Sequence, residues 1–563
     1  MSRNFFRMSC FATFLLSIFL RYLVSPVPIY GSIHDDELMV RLASNIIQGK
    51  WLGTYSDVGH LTLSKPAGYP LFLALTHFLP WAPTVTVHLI LVSGIILVAR
   101  ELRVLKISRS FVLVFIVFSS FHPQWFGSSM SRIYRDGFLS SLIFLGMGLS
   151  LCLGRLVVVR QEHAESSLKK LIELLAVTFL NGLTLSWIIA TKPGWYPIAI
   201  VMLLFTFRNL LQWRSLGWKF WRTRFVLVSL IGLLGAFSIS GYVILENKSH
   251  YGVSRLDSFA SGSFPELLSK WSSVKSDDGR KYLLVDASQR KRVYAISPTA
   301  LKLKPYLETA EGQDWRAIAC ASPLKICDES SAWFNWDLRD AVREAGLDKN
   351  AILFEATLSQ ISKDIARACS SKKLKCNGGG LAPGVLSVSD ISPREIVDAY
   401  ATAFDWVLYP DIGPAMRGGV PTVGTDIIKM WDSTIKGLPS RSTLNTYRPE
   451  ITALGNSVAL IQRIYNSLLP IFLLLAFFGL FYNSRAPEMG KNLRIISLIS
   501  LLGLFLFIGQ LALLETSSGL YISSGKTIYL LPAFPFVLVF IGVSLPRLGL
   551  TLRPNRNAQI QTI

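Results

Sequence analysis

The sequence predicts a polytopic α-helical membrane protein of about ten transmembrane helices, with amphipathic helices in its first loop and an inserted, mixed but mostly helical extracytoplasmic domain. Three observations predict it. Of 563 residues, 51% are hydrophobic and only 17% are charged, too apolar for a water-soluble chain of this length. Apolar runs near the ~20 residues needed to cross a bilayer recur along the chain. The net charge of +21 is spread over the connectors between those runs, which is a positive-inside distribution and not the footprint of a nucleic-acid binder.

The runs fall at roughly 9–29, 83–99, 110–126, 137–159, 171–190, 195–207, 225–245, 464–482, 495–514 and 527–545. The one at 195–207 is short for a span. The first is followed by acids and not by a small-residue cleavage site, so it reads as a signal anchor. Arg3 and Arg7, the connectors that start at Arg100, Arg160, Arg208 and Ser484, and Arg547, Arg553 and Arg556 alternate onto one side. That side, with both termini, is expected to be cytoplasmic. Trp213, Trp218 and Trp221 suit an interfacial belt there.

Residues 246–460 differ in character, with frequent charge, glycine and proline in turns, and no long apolar run. They divide the chain into an N-terminal membrane module (1–245), a soluble extracytoplasmic domain (246–460) and a C-terminal membrane module with its tail (461–563). Ser392-Pro393-Arg394-Glu395 predicts a helix start with a capping box. A second helix is expected from about Lys349 to Ala368. Four of the six cysteines lie in this domain, as Cys320/Cys327 and Cys369/Cys376. Two local disulfides are the simplest of the three pairings and require an oxidising compartment. A zinc site is the competing reading, although its cysteine pairs are usually closer together. Cys10 and Cys152 lie in apolar spans and read as packing residues.

The residues able to do chemistry collect on the non-cytoplasmic side. The first loop holds Asp35, Asp36 and Glu37, then Leu38, Leu42, Ile46 and Ile47 at helical spacing, then Lys65 in KPAGYP. Arg132, Arg135 and Asp136 stand in SRIYRDG between the third and fourth spans, Lys192 in TKPG between the fifth and sixth, and Lys526 before the last. Singly, each reads equally as a solvated loop charge or a helix-end ion pair. Together they form a face suited to an anionic lipid headgroup, since Arg binds phosphate by its fork and Lys as a point charge.

The same stretches carry a family resemblance. DDELMVRLASNIIQG followed by KPAGYPLFLAL resembles the first extracytoplasmic loop of the glycosyltransferase C superfamily, in the branch of protein O-mannosyltransferases and lipid A aminoarabinose transferases. RIYRDGFLSSLIFLG resembles its second acidic motif, ATKPG its fifth-to-sixth turn and KTIYLLPAFPFVLV its final span. The resemblance covers roughly residues 1–245 and the last span, and the insert has no counterpart from which a function can be read. It implies transfer of a sugar, with inversion, from a polyprenyl-phosphate donor to a hydroxyl of a lipid, glycan or protein acceptor, in a bacterial inner membrane. The family's Asp-Glu pair falls on Asp36-Glu37, which makes Asp36 the expected general base, with Asp35 one residue away as an extra acid. Lys65 with Arg132 or Arg135 would stabilise the departing phosphate, Asp136 would orient the arginines or the acceptor, and Lys192 and Lys526 would assist. No cofactor is required on this reading. His34 and His60 keep a divalent-metal variant open.

A polymerase or ligase using a diphosphate-linked glycan, or a lipid-glycan transporter, is the rival expectation. A transporter needs polar or broken helices near the bilayer midplane, and the spans offer little of that: Arg21 and Gln510 are isolated, and Gly146-Met147-Gly148 is flexible but apolar. Topology is directly testable. Labels after Met1 and Ile563 should be cytoplasmic and one near Gly279 exported; an internal Gly279 label would place the acids and lysines on the wrong face for a lipid-linked donor.

Overall fold

The structure, a computed structural model, describes residues 1–24, 34–55, 61–158, 168–193, 196–213, 218–278, 280–309, 313–322, 325–376, 392–410, 425–436, 449–481, 487–518 and 527–552. Among these the chain is helical, with no strand beyond an isolated bridge between Val274 and Cys376. Ahead of the insert come α1 (Arg3–Leu23), α2 (Asp36–Ile47), α3 (Gly68–Thr76), α4 (Pro83–Val104), α5 (Arg109–Ser120), α6 (Ser128–Ser131), α7 (Arg135–Val158), α8 (Leu168–Thr191), α9 (Tyr196–Trp213) and α10 (Trp218–Tyr251). The insert contributes α11 (Ser263–Ser272), α12 (Ala287–Ile296), α13 (Pro298–Leu301), α14 (Lys304–Leu307), α15 (Gln313–Ala321), α16 (Phe334–Glu344), α17 (Ala351–Ser370), α18 (Pro393–Leu408) and α19 (Thr425–Thr434). The chain closes with α20 (Pro449–Phe481), α21 (Pro487–Ser518), a 3-10 segment Thr527–Ala533 and α22 (Phe534–Leu552).

Eight helices among the described residues are long and apolar enough to cross a membrane. A ninth span results if α5 and the segment Pro123–Ser131, bent by 43°, are taken as one. The remaining expected stretch, 195–207, falls on α9, a helix of 18 residues. α7 is the axis of the bundle: α4, α8, α9, α22 and the 3-10 segment all pack on it, and its surface is almost wholly buried. Backbones approach where side chains vanish. A Cβ on Gly94 of α4 would stand 2.6 Å from Leu145 N of α7, so only glycine allows that contact. Likewise Gly68 lies against Ala190 and Thr191 at the end of α8, where its carbonyl accepts from Trp187 Nε1 at 2.9 Å. That contact sets the chain after Lys65 beside Lys192.

α2 does not lie on a surface. Met39, Val40 and Ala43 enter the main membrane core, while Leu38 and Leu42 join a second cluster with Trp51, Leu52, Tyr55, Leu63, Tyr251 and Ala351. A helix apolar on both sides is covered on both. The second cluster fastens the first loop to α10 and the insert, and Ser258 N donates to Leu63 O at 2.7 Å across it.

The insert packs in two ways. From α11 to α17 it has its own core, built on Phe264, Leu267, Trp271, Val293, Phe334, Leu338, Phe354, Leu358 and Ile361. α17 begins at Asn350, which caps Leu353 N at 2.8 Å, and α18 begins with the capping box expected at Ser392 and Glu395. By contrast α18 and α19 join the membrane core through Ala399, Ala403, Val407, Trp431 and Ile435, and Tyr400 stacks on Phe505 of α21. The return path of the insert therefore belongs physically to the helix bundle.

Both expected cysteine pairs are disulfides, Cys320–Cys327 and Cys369–Cys376, each closing a separation of seven residues. The first ties the end of α15 to the approach to α16, and the second ties the end of α17 to the chain that meets Val274. Mass mapping of unreduced peptides should recover these two links and no other. Replacing either pair by serine should cost about 2–3 kcal/mol of stability.

Candidate active site

The helix termini and turns at one end of α7 bring the predicted charges together. Asp35 occupies the N-cap of α2, where an aspartate ordinarily accepts from the backbone of the first turn. Here its carboxylate makes no cap bond; Oδ1 instead accepts from Lys65 Nζ at 2.8 Å and from Tyr134 Oη at 3.3 Å. Asp36 and Glu37 follow in the first turn, where the helix dipole favours negative charge. Glu37 pairs with Arg41 at 2.6 Å along the same helix and takes no part in the cluster.

Arg132 closes on Asp36 as a fork. Its Nε donates to Oδ2 at 2.6 Å and its second nitrogen to Oδ1. Asp36 is 1% exposed, whereas the Arg132 side chain is 26% exposed, so the guanidinium covers the carboxylate from the open side. Next to it, Asp136 in the first turn of α7 accepts from Lys192 Nζ at 2.7 Å, and Lys192 also sits 5.2 Å from the centre of the Tyr529 ring. Both members of this pair are buried. Arg135 is the odd cation. Its guanidinium lies 5.7 Å from the Tyr134 ring centre, its buried Nε has no hydrogen-bond partner, and no carboxylate stands at ion-pair distance among the described residues.

The electrostatics separate the two neighbouring acids. Burial raises the Asp36 carboxyl from its ordinary value, against the pull of Arg132. Asp35 is also pushed up by burial, but Lys65, Arg132 and Arg135 outweigh that and hold it well below the carboxylate range. Burial likewise lowers the Lys65 ammonium, with Asp35 opposing, and it lowers Lys192 to about 7, with Asp136 opposing. Burial thus works against the charge on Asp36, while the neighbouring cations hold Asp35 ionised.

The structure therefore joins Asp35, Asp36, Asp136, Lys65, Arg132, Arg135 and Lys192 into one cluster. Lys526 and His60 lie outside the described residues. His34 stands edge-on to Trp315 and Trp336 at 5.0 and 4.5 Å, and among the described residues no three His, Cys, Asp or Glu side chains gather as a metal-ligand set. Three aromatic members were not anticipated. Tyr134 was visible between Arg132 and Arg135 in the motif itself; Tyr529 and Trp336 reach the cluster only through folding.

No protein-family model and no curated protein matches the sequence. Among solved structures, the chain is similar to ArnT from Cupriavidus metallidurans in the apo state, at 12% identity over 97% of this chain and 77% of that one, with a TM-score of 0.29. It is similar also to ArnT from the same organism bound to undecaprenyl phosphate, at 12% identity over 96% and 77%, with a TM-score of 0.28. These likenesses are too distant to assign an activity, which the residues of this chain must carry.

The Asp136–Lys192 pair yields a stability prediction. Lys192→Met strands a carboxylate that is 0% exposed and should destabilise the purified protein by about 3 kcal/mol at neutral pH. Adding Asp136→Asn should recover most of the loss in a thermal-unfolding assay, because the stranded charge is gone.

Proposed function

We propose that the chain is a membrane glycosyltransferase that moves a sugar from a polyprenyl-phosphate donor to a hydroxyl acceptor with inversion at the anomeric carbon. The charge balance of the cluster carries this reading. Asp35, Asp36 and Asp136 hold Lys65, Arg132 and Lys192, while Arg135 has no carboxylate at ion-pair distance among the described residues and is met by buried Asp257 only at longer range. A buried site with a cation so placed suits an anionic ligand, and its place among helix ends suits a ligand whose tail lies in lipid.

The chemistry follows from where charge develops. A glycosyl phosphodiester carries one negative charge, and the lipid phosphate that leaves carries a second. Cations held in place near the leaving oxygen therefore act more strongly in the transition state than on the bound donor. Lys65, Arg132 and Arg135 are assigned that task, with Lys192 behind them. The acceptor oxygen attacks the anomeric carbon, the bond from that carbon to the phosphate oxygen breaks, and the acceptor proton passes to Asp36. Burial raises the basicity of Asp36, while Asp35, held ionised, keeps Lys65 in position. On this reading Asp36 acts as base once Arg132, which holds it here, exchanges its bonds to Asp36 for bonds to the phosphate. Asp136 holds Lys192 in the same way.

Assays in membranes with radiolabelled polyprenyl-phosphate hexoses and pentoses, read as transfer to lipid, glycan or protein, test the reading. Asp36→Asn should lower transfer about 10²-fold or more with donor binding retained, since a base acts in the transition state. Lys65→Ala should weaken donor binding and turnover together. Asp35→Asn should show a smaller loss. Near-normal transfer in both aspartate variants and in the double variant would remove the acid pair from the mechanism, and transfer only from diphosphate-linked donors would replace this reading.

A further inference from the structure

The insert meets the charged cluster through Trp336. Trp336, near the start of α16, lies beneath the Lys65 ammonium, 5.4 Å from Nζ to the ring centre. Trp336 is 8% exposed and is held from behind. Trp315 of α15 lies beside it at 6.3 Å and 15° between planes, and Trp333 flanks Trp315 at 6.3 Å and 26°. Trp315 is fixed by its Nε1, which donates to Asp340 Oδ2 of α16 at 2.6 Å. The Cys320–Cys327 disulfide braces the connection between α15 and the segment that leads to α16. His34, directly before Asp35, closes edge-on against both Trp315 and Trp336.

We propose that Trp336 is a positioning residue for Lys65, and that the insert is consequently part of the phosphate-binding site, not an appended module. The inference rests on the assignment of Lys65 to the donor phosphate. An ammonium has three N–H donors, and Asp35 takes one of them. An indole face attracts the ammonium through the ring quadrupole while consuming no strong acceptor and adding no negative charge. Lys65 is thereby fixed in space yet keeps donors and charge for an incoming phosphate. A second carboxylate at the place of Trp336 would fix the lysine equally well but leave the group net negative beside Asp35. Water in that place would leave the four-carbon stem free to move and would screen the charge.

Two measurements test this, one of them independent of any ligand. In lysine footprinting by amine acylation read by mass spectrometry, Lys65 should be shielded in the native protein. It should react several-fold faster in Trp336→Leu, which keeps an apolar side chain but removes the π face, and at nearly the native rate in Trp336→Phe. In the second, undecaprenyl phosphate is titrated against purified protein. Trp336→Leu should raise Kd about tenfold, and it should have no further effect in a Lys65→Met background. Unchanged Lys65 labelling in Trp336→Leu overturns the inference. So does a Kd increase of the same size with Lys65 already removed, since that marks a structural role alone. Absence of any undecaprenyl phosphate binding by the native protein counts against the proposed function, while the labelling comparison still decides the link between Trp336 and Lys65.

Discussion

Charge buried at the end of an apolar helix bundle is the constraint on which this structure depends. A carboxylate or ammonium out of water costs several kcal/mol unless a partner stands against it in good geometry. Asp36 and Asp136 have such partners in Arg132 and Lys192, and both pairs are set by the start of α7, the helix on which the others pack. The turn Arg132–Asp136 is thus at once the end of the central helix and the floor of the site. Breaking either pair strands a charge, so the stability of the bundle and the geometry of the cluster cannot be separated.

On the proposed reading, the arrangement holds the site ready for an anion. Asp35 gives up its role as a helix cap to hold Lys65, and a cap forgone costs on the order of 1 kcal/mol. Each acid restrains a cation, and Arg135, which has no carboxylate at ion-pair distance among the described residues, lies against the ring of Tyr134. A ligand phosphate entering such a cluster finds its partners already desolvated and oriented, which is where electrostatic stabilisation is most effective.

The insert is divided by the same physics. Its α11–α17 portion buries enough aromatic and aliphatic side chains to form a core of its own, and α18 and α19 lack that and bury their small and aromatic residues on the membrane helices. Between these parts and the first loop, hydrogen bonds such as Ser258 N to Leu63 O and Tyr251 Oη to Gly53 O at 2.7 Å fix how the insert meets the lysine loop. Trp336 can therefore stand over Lys65 in a defined place.

Much of this was legible in the sequence because it depends on local pattern. Apolar runs specify helices, the Ser392 capping box and Asn350 specify where two of them start, and cysteines seven residues apart can close only short loops. The order of the charged motifs along alternating spans was enough to place Asp35, Asp36, Lys65, Arg132, Arg135, Asp136 and Lys192 at one end of the bundle. Local pattern does not specify which acid meets which cation. Asp36 takes Arg132 and Asp35 takes Lys65 because α2 is sunk between two cores and presents its first turn at one particular rotation, which only the packing of α7, α8 and the insert determines. The same holds for Trp336. Nothing near it in the chain points to Lys65, and their meeting is a product of tertiary structure, since a contact between residues so far apart in sequence exists only once both domains are packed.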